Sequence, residues 1–98
     1  MRVLAGLYRP VEAETPYGGR AVSYEPVGSA WLRCGARRRR EGGSGDERRA
    51  VETMTAEARS DPRLQTGRVL RFAGSDWAVV TADDLRPGRV TLGLERVR

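Results

Sequence analysis

Glycine and proline punctuate this chain so densely that long regular elements have little room. Twelve glycines and five prolines are spread through 98 residues. Short apolar runs lie between them, which is the pattern of an all-β domain. Val3, Ala5, Leu7 and Val11 share one parity and predict a strand, with Pro10 near an edge or end. Tyr17, Gly18 and Gly19, with Thr15 and Pro16 before them, form a turn signal. Residues 20–25 alternate until Pro26 and Gly28 break them, and residues 29–34 predict a third strand. Further on, residues 68–72 and 77–81 predict a hairpin about a turn at 73–76. Asp83-Asp84 and Pro87-Gly88 mark the next loop, and Val90, Leu92 and Leu94 alternate as in a half-buried strand. About six strands result, which suits a small β-barrel or sandwich. The predicted core is Leu7, Val22, Trp31, Val69, Phe72, Trp77, Val79, Leu92 and Leu94.

Two segments read differently. Arg37, Arg38, Arg39 and Arg40 run into Glu41-Gly42-Gly43-Ser44-Gly45-Asp46-Glu47, which predicts a long flexible Arg/Gly-rich loop over about 35–47. Residues 48–60 fit two periods. Ala50, Met54 and Ala58 have helical spacing, with Ser44 and Glu47 as a capping box and Asp61-Pro62 as a stop. Ala50, Met54, Ala56 and Ala58 also share one strand face, and Val51, Thr53 and Thr55 favour β structure.

Composition narrows the chemistry. The length fits one small domain, with a thin core that partner subunits are expected to supplement. No stretch approaches the roughly 20 apolar residues of a membrane helix, and the N-terminal apolar run is too short for export. Neither a membrane span nor secretion is expected. There is no histidine and one cysteine, Cys34. Histidine acid–base catalysis, a Ser-His-Asp triad and a cysteine zinc cluster are excluded on that ground. No catalytic residue, metal site or cofactor is expected, and Cys34 reads as a structural thiol. Asp83 and Asp84 lack further ligands at fixed spacing and read as loop carboxylates.

All 18 basic residues are arginine, and lysine, isoleucine and asparagine are absent. Those three have AT-rich codons, so the bias reflects a GC-rich genome. The net charge of +5 still favours polyanionic neighbours. Arg37, Arg38, Arg39 and Arg40 therefore carry two readings: a phosphate-facing loop, or a solvated loop in an arginine-rich chain. Tyr17-Gly18-Gly19 lacks the lysine and spacing of a phosphate loop, so a plain turn is expected. Trp31, Phe72 and Trp77 would stack on bases in a nucleic-acid reader, but their apolar surroundings favour core packing.

The order of these features resembles a known family. A strand ends in Tyr8-Arg9-Pro10-Val11, and an acidic spacer leads to Tyr17-Gly18-Gly19 and a strand through Tyr24. Ser29-Ala30-Trp31-Leu32-Arg33 precedes a glycine-bearing loop. After a threonine-rich stretch, Asp61-Pro62-Arg63-Leu64 leads into Gly67-Arg68-Val69-Leu70-Arg71-Phe72, then Trp77-Ala78-Val79-Val80 and Leu92-Gly93-Leu94-Glu95-Arg96. This looks like the head-closure (stopper, or head–tail joining) proteins of long-tailed phages and gene transfer agents. The resemblance spans nearly the whole chain. It departs at Arg59-Ser60, where the family tends to have Arg-Tyr.

The resemblance implies a single β-barrel domain over 1–98 and a strand at 48–60. It implies a structural virion protein at the neck, assembled in the bacterial cytoplasm. Its subunits would form a six-fold or twelve-fold ring below the portal and adaptor. That ring would seal packaged double-stranded DNA in the head and dock the tail terminator or tail tube. Arg37, Arg38, Arg39 and Arg40 would then face the DNA or its channel. Two alternatives stand beside it: a small basic nucleic-acid-binding barrel, and another neck component such as a tail terminator.

Overall fold

A computed structural model describes residues 2–42 and 49–97. Six strands follow in order: β1 (Arg2–Glu14), β2 (Arg20–Gly42), β3 (Arg49–Arg59), β4 (Val69–Phe72), β5 (Ser75–Arg86) and β6 (Arg89–Arg96). They close an antiparallel barrel in the order β1-β2-β3-β6-β5-β4, with β4 returning to β1. The fold is all-β, as the punctuated sequence predicts. Closure removes the sheet edges along the body of the barrel.

The strands alternate faces, and the inward set is apolar. Ala5 and Leu7 of β1, Leu32 of β2, and Met54, Ala56 and Ala58 of β3 point inward. So do Leu70 and Phe72 of β4, Trp77 and Val79 of β5, and Val90, Leu92 and Leu94 of β6. Trp77 is fully buried and stacks on Phe72 at 6.1 Å. The Trp77 indole N–H is buried with no acceptor among the described residues. Val69 is also buried, between Tyr8 and Ala78 in register.

Turn chemistry sets the connections. Ala73 and Gly74 both have positive φ (51° and 76°) between the paired Phe72 and Ser75. That is the primed two-residue turn that matches strand twist. Pro87 and Gly88 (φ 75°) join β5 to β6. The turn at Tyr17-Gly18-Gly19 is tied by Gly18 N–H to Thr15 O at 3.1 Å and by Thr15 N–H to Gly19 O at 2.8 Å.

Three expectations are corrected, and the open 48–60 segment is decided. Residues 20–25 and 29–34 are one strand: Pro26 and Gly28 make a bulge, not a break, and the β1 register shifts there between Leu7 and Tyr8. The Arg/Gly-rich loop expected over 35–47 is strand as far as Gly42, because β3 supplies the ladder partners Met54 to Arg49. Residues 43–47 lie outside the described residues, as do Ser44 and Glu47 of the capping box. Residues 49–59 are strand, the reading of 48–60 that the resemblance implies, since two neighbours satisfy their backbone. Asp83 and Asp84 belong to β5, which continues to Arg86. Only Pro87-Gly88 turns the chain.

Two core assignments are also corrected. Trp31 is 56% exposed and Val22 is 54% exposed. Leu32 takes the inward position beside Trp31, so alternation turns the tryptophan out. Val22 lies where β1 and β2 have run past β4 and no second layer faces them.

Candidate interaction surfaces

Unequal strand lengths build the surfaces. β1 pairs with β4 only from Gly6 to Tyr8, while its ladder with β2 runs on to Glu14. The β1–β2 hairpin therefore projects beyond the barrel for roughly 20 Å, counting about 3.3 Å per residue from Tyr8 to Glu14. Its faces carry two cross-strand ion pairs, Arg9–Glu25 at 2.9 Å and Arg20–Glu12 at 3.0 Å. Tyr17 stands at the tip, 97% exposed, and Tyr24 and Val22 are exposed along the arm. Among the described residues, Glu14 makes no ion pair.

At the root of the arm, Val27 is the extra residue of the bulge. Its carbonyl accepts a bond from Arg63 Nη1 at 3.1 Å. The same guanidinium holds Asp61 through Nη2 at 2.7 Å. The Arg63 side chain, and then its backbone N–H, hold the Asp61 carboxyl below its ordinary pKa. Arg63 also lies where a Cβ on Gly28 (φ 145°) would stand. Arg63 thereby latches the 60–67 connection across the barrel end, where Leu64 is buried. In the sequence Arg63 stands only as part of Asp61-Pro62-Arg63-Leu64, with no role of its own. Its signal was Asp61-Pro62-Arg63, an Asx-type turn with Arg63 N–H donating to Asp61 Oδ1 at 2.9 Å.

At the opposite end, the arginine run sits in a strand, so its residues alternate. Arg37 pairs in register with inward-facing Met54, and its guanidinium lies over the Trp77 ring at 5.4 Å. Arg39 pairs with Glu52, which Arg96 engages at 3.1 Å. Arg38 is opposite Thr53 on the other face, and Arg40 is at the register position of Val51. The run does not present one common face. Cys34 is half-buried nearby. Burial pushes its thiol pKa up, against the pull of neighbouring positive charge that includes Arg37.

The third surface lies on the outer wall. Leu4 of β1 and Trp31 of β2 are direct cross-strand partners, and both are exposed. The Arg2 guanidinium lies over Trp31 at 5.3 Å. Together with Arg33, Arg59 and Arg89 they line a groove of about 1110 Å³. Leu4 was not anticipated as a surface residue. Its parity, opposite to that of Val3, Ala5 and Leu7, was the available signal. On the adjoining wall, Arg71 binds Asp76 at 2.7 Å and stacks over Tyr8 at 4.6 Å. That bond lowers the Asp76 carboxyl below its ordinary pKa. No cluster of metal-ligating side chains occurs among the described residues.

Fold and surfaces together define a closed six-stranded antiparallel barrel with a protruding β1–β2 hairpin. No family model matches the chain. No curated protein matches it. The fold is similar to that of a chain in a solved structure of the virion of a native gene transfer agent particle. The TM-score is 0.74 at 17% identity, over 97% of this chain and 94% of that one.

Proposed function

We propose that this protein is a structural component of a phage or gene-transfer-agent virion, and within it the ring-forming stopper of the head–tail connector. The ring seals packaged DNA in the head and docks the tail. The observation that carries this reading is the fold similarity to a virion chain, which covers 97% of this chain and 94% of that one. The surfaces agree with it. Long hairpins and an exposed Leu4–Trp31 pair are costly on a lone subunit and useful between subunits. A thin core is tolerable where neighbours bury further surface.

The test is electron microscopy of particles from a strain lacking the gene. Separate tails and heads emptied of DNA are expected. Normal tailed particles would reject the reading.

Within it, the segment that carries Arg37, Arg38, Arg39 and Arg40 lies along the DNA or the channel wall, and one face of the strand meets it. Because the strand alternates, the two faces contribute unequally. Replacing all four with serine is expected to increase DNA leakage, and unchanged retention rejects the role. Single Arg38→Ser and Arg39→Ser variants then identify the face, without uncovering Trp77 as Arg37→Ser would.

One observation favours a second reading, a basic nucleic-acid-binding barrel: Trp31 is exposed among arginines. Phe72 and Trp77 are buried, however, and Arg2 already covers a face of Trp31. A sheet-wide stacking platform is missing among the described residues. Salt-dependent DNA binding lost in Trp31→Ala would favour this second reading.

A further inference from the structure

We propose that the groove around Trp31 is the seat of the β1–β2 hairpin tip of a second copy of this chain, with the partner's Tyr17 packing beside Trp31. This rests on the ring reading and specifies its contact.

The groove sets the chemistry of its occupant. Its floor is the Leu4–Trp31 pair, and its rim carries Arg2, Arg33, Arg59 and Arg89 against Glu57 and Asp61, the latter already bound by Arg63. An occupant must bring an aromatic or apolar group for the floor and negative charge for the rim. Arginine over an aromatic face is favourable, so an aromatic ring suits both parts. The hairpin supplies this combination. Among the described residues, the exposed aromatics other than Trp31 are Tyr17 and Tyr24, and both are on the arm. Their acidic neighbours are Glu14 and Glu25, and Arg9 and Arg20 are occupied by Glu25 and Glu12. The tip thus approaches with Tyr17 foremost and Glu14 beside it.

The tip cannot reach its own groove. The β1–β2 ladder is continuous from Arg2 to Glu14 except for one bulge, so it holds Tyr17 many residues along the strand from Trp31. Occupancy therefore needs another chain. Arm and groove are different surfaces, so the contact is head-to-tail and repeats around a ring. Tyrosine and tryptophan are also the side chains that most often dominate such contacts.

The experiment uses the full chain in a Cys34→Ala background. One preparation carries Pro16→Cys, beside Tyr17 at the tip, and another Ser29→Cys, beside Trp31 on the groove, so that both contact side chains are kept. They are mixed and treated with a short thiol cross-linker, while sedimentation equilibrium follows association from micromolar to millimolar protein. A covalent dimer from the mixture is expected. Tyr17→Ala, at a fully exposed tip where folding is unaffected, is expected to weaken association by about tenfold or more. Leu85→Cys, exposed on another hairpin, serves as the collision control. Equal cross-linking to Leu85→Cys overturns the proposal. Association that ignores both Tyr17→Ala and Trp31→Ala also overturns it, while leaving a ring built through other contacts. A chain that stays monomeric throughout overturns the docking as well. The gene-deletion particles judge the stopper reading separately.

Discussion

Trp31 and Trp77 stand in similar apolar runs and end in opposite environments. Trp77 fills the barrel between Phe72, Leu70 and Val79, whereas Trp31 sits on the outer wall opposite Leu4. Parity decides this, and in β2 the inward parity belongs to Ala30, Leu32 and Cys34. Truncating an inward residue should therefore be severe. Leu92→Ala is expected to cost about 2–5 kcal/mol in urea denaturation, through lost burial and a residual cavity. Trp31→Ala is expected to leave the urea midpoint nearly unchanged. Gly28→Ala places a Cβ on the Arg63 guanidinium at a φ that side chains rarely adopt. It should lower the melting temperature, with a cost of about 1–3 kcal/mol, and an unchanged melting temperature would contradict the latch. Acid should also destabilise the fold. Asp61 and Asp76 have folded-state pKa values below the ordinary 3.8 because Arg63 and Arg71 hold them. Groups depressed in this way stabilise the fold above the unfolded value, and that contribution is lost as pH falls through the folded value. The urea midpoint should be level near neutrality and fall below about pH 4. Asp76→Asn should flatten part of that fall.

At the scale of elements, turns were the most legible feature and strand lengths the least. Thr15 to Gly19, the 73–74 turn and Pro87-Gly88 were all marked by residues that suit their backbone. Ala73 is the exception, with a positive φ and a Cβ. Ala73→Asn should raise stability by about 0.5–1 kcal/mol in urea denaturation, since asparagine tolerates that conformation. No gain would mean the primed turn is misassigned. The 23-residue β2 was not legible as one strand. Pro26 and Gly28 have the local chemistry of a break, yet β1 on one side and Arg63 on the other satisfy the bulge. Nor was the strand character of Arg37 to Gly42, since only β3 makes an arginine run extended. The candidate site divides the same way. The arginine run was visible in sequence, but its split over two faces was not.

For the whole molecule, closure separates a stable body from an arm paired on one side. In dilute, unassociated protein, amide exchange should be slowest at Leu92, Leu94 and Leu70, and fast along residues 9–25. Uniform protection across both would show that the arm is covered by something else in solution, as the docked ring requires. The sequence by itself determined the all-β class, most turns and most of the inward apolar set. These depend on local backbone preference and a period of two, which each segment carries alone. Tertiary structure decided where β2 ends, which tryptophan is inside, and how far the β1–β2 hairpin projects. Those outcomes depend on which strands become neighbours and how far each ladder runs, and no single segment carries that information.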